Sequence, residues 1–242
     1  MLIYGESGTG KTTLAGSSDE VPQMRPVLVI DIEGGTESLR HTYPDVEQVR
    51  VRTWQEMQNV YNALYNGGHG FQTVVLDSLT EIMKFSMYQI MGDLVQKGRG
   101  SGAEVDPDVP SMREWGKNIE QIRRFVRGFR DLPINTIFTA LVRAEKDAKT
   151  GVTTFMPSLS GKVAGEVAAF LDIVLYYYVK DLGDDEGGGQ KRVLLTRRIE
   201  KAIAKDRSGK LPMIVEDPTM KELYQLMHPK PNPNGQTKED NK

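Results

Sequence analysis

The chain opens Met1-Leu-Ile-Tyr-Gly5-Glu-Ser-Gly-Thr-Gly10-Lys11-Thr12-Thr13, an apolar run that enters a glycine-rich turn and leaves it through lysine and threonine. Glycines at 5, 8 and 10 let the backbone curl, so that consecutive N–H groups converge on one point. Lys11 adds a compact cation there and Thr12 a hydroxyl. The spacing G-x-x-x-x-G-K-[ST], with a strand before it and a helix after it, suits a loop that cradles nucleotide phosphates. Gly5, Glu6, Ser7, Gly8, Thr9, Gly10, Lys11, Thr12 and Thr13 are the candidate nucleotide-binding residues, with Lys11 directed at the β- and γ-phosphates and Thr12 at magnesium. The competing reading is a plain glycine turn carrying a solvated lysine. So little chain precedes the first strand that a further N-terminal segment in the natural protein is an open expectation.

A phosphate loop of this kind needs a carboxylate at the tip of a later buried strand. Thr73-Val-Val-Leu-Asp77 is such a strand, and Asp77 with Ser78 after it is the candidate second metal residue. Helix capping beside Ser78 is the alternative, and both roles can coexist. Val27–Ile32 reads as another buried strand, ending in Asp31 and Glu33. The expectation is that this strand neighbours the first one, so that Glu33 looks across the phosphates as general base or water orienter. Alternation puts Asp31 on the same side, to support magnesium or orient Glu33. An acidic strand end entering the Gly34-Gly35 turn is the plain alternative.

Further along, Val46–Arg52 reads as a strand, and Thr53-Trp-Gln-Glu56 opens a helix that Asn66-Gly67-Gly68 ends. Ser78-Leu-Thr-Glu81 caps a long methionine-rich helix. Lys97–Pro110 reads as loop, and Ser111-Met-Arg-Glu114 starts another helix. Ile134–Val142 is a strand, followed by a polar, basic loop from Arg143 to about Ser160 and a short helix. Asp172–Lys180 and Arg192–Arg198, joined by the Gly183–Gly189 turn, form a β-hairpin. Strands alternating with helices predict an α/β fold: a mostly parallel central sheet flanked by helices, with that hairpin at one edge. The core is expected over residues 1–228, and 229–242 as a disordered tail.

The 242 residues contain no cysteine, which excludes disulfide frameworks and thiolate metal sites and fits a reducing cytoplasm. No stretch has the length of apolar residues a membrane span needs, and no signal segment stands at the N-terminus. A formal net charge of −2 provides no global field for nucleic acid, so any polyanion must be met by local patches. His41, His69 and His228 form no spacing pattern.

The P-loop, VLVIDIEGG, TVVLDSLTE, REWGK, INTIFTALVR, GKVAGEVAAFLDIVLYY and AKDRSGKLP together resemble the RecA-like ATPases, in particular the phage nucleotide-binding proteins and Sak-type single-strand annealing proteins. The resemblance runs over roughly Met1 to Met227. It implies a RecA-like P-loop NTPase fold, ATP and Mg2+ as cofactors, hydrolysis with Glu33 as catalytic glutamate, and action on single-stranded DNA in recombination or annealing. It also implies a homo-oligomer with ATP at subunit interfaces, admits a single-strand-binding protein as partner, and sets the protein in a bacterial or phage-infected cytoplasm. Where relatives keep a polar γ-phosphate sensor, this chain has Leu141, with Thr139 or Arg143 as substitutes. Lys205 and Arg207 match the cations that relatives extend into a neighbouring protomer's ATP, a solvated basic turn being the alternative.

The matching DNA loops are Lys97–Pro110, with Lys97 and Arg99, and Arg143–Lys162, with Arg143, Lys146, Lys149 and Lys162. Phe155 is the sole ring in them, and Glu104, Asp106 and Asp108 oppose DNA. Mixed-charge surface loops are the plain reading. Arg123, Arg127 and Arg130 share one helix face, usually solvated, with an interface or DNA role as the alternative. A replication-accessory or helicase-loader ATPase is the nearest rival function. A small-molecule P-loop kinase is disfavoured by Glu33 and the lack of an arginine-rich lid, and a nucleotide-binding interaction protein with negligible turnover remains open.

Overall fold

The computed structural model describes residues 1–101, 106–183 and 188–229, the side chains of 99–101 excepted. The expected tail therefore lies outside the described residues from 230 onward, as does Glu104.

The strands are β1 (Leu2–Gly5), β2 (Val27–Asp31), β3 (Glu47–Arg50), β4 (Thr73–Asp77), β5 (Asn135–Lys146), β6 (Thr153–Pro157), β7 (Ile173–Asp181), β8 (Gln190–Leu195), β9 (Lys205–Asp206) and β10 (Ile214–Glu216). The helices are α1 (Lys11–Gly16), α2 (Glu37–Thr42), α3 (Trp54–Asn66), α4 (Leu79–Ser101), α5 (Met112–Arg130), α6 (Val163–Phe170) and α7 (Met220–Met227). The strand order is β10-β8-β7-β1-β5-β4-β2-β3, with β6 paired to β5 and β9 to β7. From β7 to β3 all neighbours are parallel. The β7–β8 hairpin is antiparallel, and β10 lies beyond it at the edge. This is the mostly parallel α/β architecture that the alternating elements predicted.

β1, β2 and β4 are buried at every position and mostly apolar, as burial on both faces requires, and β5 is buried from Ile137 to Ala140. One face packs Tyr4, Ile30, Leu76, Phe129 and Phe138 against α3 to α6. The other packs Ile3, Val29, Val75 and Leu175 against α1 and α7. Burying a side chain of the size of Phe138 stabilises by about 1.5–3 kcal/mol.

Two of the three predicted helix starts, at Thr53 and Ser111, carry their caps. Thr53 accepts from Glu56 N at 3.1 Å, while the Glu56 carboxylate accepts from Arg52 N at 2.7 Å. Ser111 accepts from Arg113 N and donates to Glu114. Three expectations need correcting. The second strand is not beside the first: β5 and β4 stand between them. Residues 97–101 continue α4 instead of beginning a loop. The stretch after Val142 is an antiparallel β5–β6 hairpin, with Ala144 opposite Phe155 and Lys146 opposite Thr153. Its polar residues alternate along two strands, a pattern that reads as irregular when the partner strand is unknown.

Candidate functional site

Gly5 ends β1 at a place no other residue fits, because an added Cβ would lie 1.9 Å from the Tyr177 carbonyl oxygen. Gly10 then turns the chain at φ +94°, in the left-handed region that favours glycine, and α1 begins at Lys11. Lys11 is buried, and its Nζ donates to Glu6 O at 2.6 Å and Gly5 O at 3.1 Å. Burial pushes its pKa below the ordinary lysine value, while the carboxylates of Asp77, Glu33 and Glu6 act in the opposite direction.

Asp77 reaches the loop from β4, with only β5 between β4 and β1. Thr12 Oγ1 donates to Asp77 Oδ2 at 2.6 Å, and Thr139 donates to Asp77 Oδ1. Thr139 thus braces the carboxylate from the strand in between. Leu141 is level with Gly5 in the β1–β5 register, and its N–H donates to Thr80 Oγ1 at 3.0 Å. Arg143 turns toward Met156, Gly161 O and Glu145.

Glu33 arrives by a different route from the expected one. Asp31 is opposite Asp77 in the β2–β4 register, and the N–H groups of Ile32 and Glu33 both bond to Asp77 O, at 2.8 and 3.3 Å. The Ser78 hydroxyl, expected to cap α4, donates to the Glu33 carboxylate. Glu33 itself is exposed while Asp77 is buried, so the two acids divide into an enclosed one and an open one. Asp31 is used elsewhere: it accepts from Gly34 N at 2.6 Å and Thr36 at 3.0 Å, and it pairs with Arg50 at 2.9 Å. It fastens the turn after β2.

A cavity of about 250 Å³ opens on the other side of α1, lined by Thr13, Tyr43, Tyr177, Arg192 and Asp217 among others. Arg192 Nε donates to Thr9 O at 3.2 Å, which ties β8 to the phosphate-type loop. Burial pushes the Tyr177 hydroxyl up to about 12. Arg192 had no signal in the local sequence. It stands across the β7–β8 ladder from Val179, and only the sheet order brings it to the loop.

The other expected residues go elsewhere. Lys205 is level with Val174, which is level with Leu2 at the start of β1, the end away from Gly5. Its Nζ bonds to the carbonyls of Leu171, Ala169 and Ala168 at the end of α6, at 2.8, 3.2 and 3.3 Å. Arg207 pairs with Asp172. The structure brings neither to the site of its own protomer. Lys97 stands with Lys117 and Arg124 beside an open cavity between α4 and α5, apart from the hairpin. The side chain of Arg99 lies outside the described residues. Lys146 and Lys149 are exposed on the β5–β6 hairpin and its turn, and Lys162 is exposed just before α6. Arg127 and Arg130 are exposed, as the solvated row expected, while Arg123 is partly buried. Arg123 grips Glu166 through two nitrogens, Arg127 lies 4.1 Å from the Phe170 ring centroid, and Arg130 pairs with Asp131 at 2.7 Å and reaches Phe170 O at 3.5 Å. Arg123 and Arg127 fasten α6 to α5.

A lysine and hydroxyl at the end of a tight glycine loop, facing a buried aspartate and an open glutamate at one sheet edge, define a P-loop ATPase type of site. The chain belongs to the AAA-domain family, whose description matches residues 1–208. No curated protein matches. Among solved structures, one described as a prototypical ATPase from the type III secretion system of pathogenic bacteria is similar at 16% identity and a TM-score of 0.39. The likeness covers 73% of this chain and 51% of that one, so the chain spans about half the length of that structure.

The residues present fit a magnesium nucleotide. Gly8 and Gly10 hold the loop at φ +78° and +94°, curling its N–H groups inward, and Thr12 with Asp77 offers paired hard oxygens of the kind magnesium selects. No helix among the described residues is long and apolar enough to cross a membrane.

Proposed function

We propose that this protein binds ATP with Mg2+ through Gly5–Thr13 and hydrolyses it, and that it couples hydrolysis to single-stranded DNA in recombination or annealing as a homo-oligomer. The observation that carries the catalytic part is the arrangement of Thr12 on Asp77, with Glu33 held beside Asp77 by Ser78. Lys11 would exchange its two loop carbonyls for phosphate oxygens. Thr12 and Asp77 would hold the metal, whose chemistry there is to neutralise charge on the β- and γ-phosphates. Glu33, exposed and hydrogen-bonded at a fixed point, would orient and deprotonate the attacking water. Thr13, Tyr177 and Arg192 would face the nucleoside in the adjoining cavity.

Support for the DNA part is the β5–β6 hairpin. Its register with β1 carries it past Gly5 at the edge where the loop lies, with Lys146 and Lys149 exposed at its end. The sequence resemblance to phage annealing proteins agrees with it. Steady-state hydrolysis with and without oligonucleotide, in Mg2+ and in excess EDTA, tests both parts. Metal-dependent turnover stimulated by single-stranded DNA is expected. Turnover indifferent to DNA would remove the coupling, and absence of MgATP binding would remove the whole reading.

A further inference from the structure

Four rings from three strands lie nearly parallel on one face of the sheet. Tyr176 of β7 is central: its centroid is 5.1 Å from Tyr4 at 27°, 5.6 Å from Phe155 of β6 at 11°, and 5.2 Å from Tyr178 at 22°. Tyr4 is fully buried and anchors the row, its hydroxyl donating to Ile203 O at 2.6 Å and Phe155 O at 3.2 Å. The other three are only partly buried, resting on a small apolar floor of Leu195, Ala202 and Ala204. The sequence hid this row, because Phe155 is the sole ring in its own segment and its neighbours come from a strand some twenty residues later.

Lysines approach the row from three segments. Lys146 is two residues from Ala144, the partner of Phe155, and so stands on the same face of the hairpin. Lys180 is two residues from Tyr178 on β7 and shares its face. Lys201 is exposed, and its carbonyl accepts from Phe155 N at 2.7 Å. Among the described residues Glu6 acts on Tyr176 from the loop, and Glu200 is exposed beside Lys201. Partly exposed parallel rings bordered by ammonium groups are the combination that takes unpaired bases on their faces and phosphates along their rim.

We propose that Phe155 and Tyr178, each stacked on Tyr176 by one face, offer their other faces as a platform for the bases of single-stranded DNA, with Lys146, Lys180 and Lys201 following its phosphates. This rests on the DNA reading above and gives it a surface. It also gives a path to the nucleotide: Tyr177, between Tyr176 and Tyr178, abuts Gly5 through its carbonyl and lines the cavity beside α1 through its ring. Any coupling between the two faces of β7 is reciprocal, each ligand altering affinity for the other by the same factor.

The test is anisotropy of a labelled oligo-dT and of an abasic strand with the same number of phosphates, on the full chain, with MgATP binding as the check of fold. The wild type is expected to prefer oligo-dT. Tyr178→Ala should lose about tenfold on oligo-dT and nothing on the abasic strand, Tyr178→Phe should restore it, and Lys201→Ala should weaken both strands alike. If the wild type binds neither strand, the DNA reading itself fails. If it binds both and Tyr178→Ala and Phe155→Leu leave the preference for bases intact, the DNA reading survives and the platform is overturned. A change of oligomeric state in Tyr178→Ala without selective loss on oligo-dT would make the row a protomer contact and equally overturn it.

Discussion

Lys11 and Lys205 stand at opposite ends of the sheet, and each gives its ammonium to backbone carbonyls. Burial is the leading influence on both and pushes both pKa values down. Their surroundings differ. Lys11 faces the carboxylates of Asp77, Glu33 and Glu6, and its carbonyl partners belong to a glycine loop. Lys205 faces Arg207 and Asp172, and its partners are the last carbonyls of a helix, which lack partners within that helix. The first arrangement can give up its hydrogen bonds to an incoming ligand; the second holds α6 in place. A hydrogen-bonded lysine is thus read by what its partners would do without it.

The sharpest way to break the comparison is at the acid beside Lys11. Glu33→Gln should lower hydrolysis by roughly 10²- to 10⁴-fold while leaving MgATP affinity in place, read by single-turnover kinetics and equilibrium titration. Lys11→Ala should weaken MgATP binding about 10- to 100-fold, the loss of charge-assisted bonds to phosphate, with the melting temperature nearly unchanged. Lys205→Met should show the reverse: about 1–3 kcal/mol less stability in denaturant unfolding, with kcat retained. Loss of kcat there, without loss of stability, would return Lys205 to the catalytic group. Arg192→Ala removes one bond to Thr9 O and one wall of the cavity, and should raise KM for ATP by roughly three- to tenfold. Arg127→Leu, which removes only the cation over Phe170, should lower stability by about 0.5–1 kcal/mol and leave turnover alone.

The parts of the molecule that were legible in the sequence are those whose signal is local. The glycine loop, the strand ending in Asp77, and the capping residues Thr53 and Ser111 each act on neighbours within a few positions. What depended on pairing between distant segments was not legible. The insertion of β5 and β4 between β1 and β2 changed the route by which Glu33 reaches Asp77, from strand adjacency to two N–H bonds and a serine. The same limit concealed the β5–β6 hairpin, the reach of Arg192 to Thr9, and the alignment of Phe155 with Tyr176. The contacts of Arg123 and Arg127 were hidden too, because their partners, Glu166 and Phe170, sit on a helix whose docking no local pattern encodes.

The family match ends at residue 208, yet Asp217, Pro218 and Thr219 form part of the cavity beside α1, and Met220 N bonds to Ser17 Oγ at 2.9 Å. β10, also beyond that limit, completes the sheet against β8. A protein trimmed to the family boundary would keep every group proposed to address phosphate and lose one side of the cavity next to it. Discrimination between nucleobases, and between ribose and deoxyribose, should therefore be looked for at Asp217, Pro218 and Thr219, outside the part that the family shares.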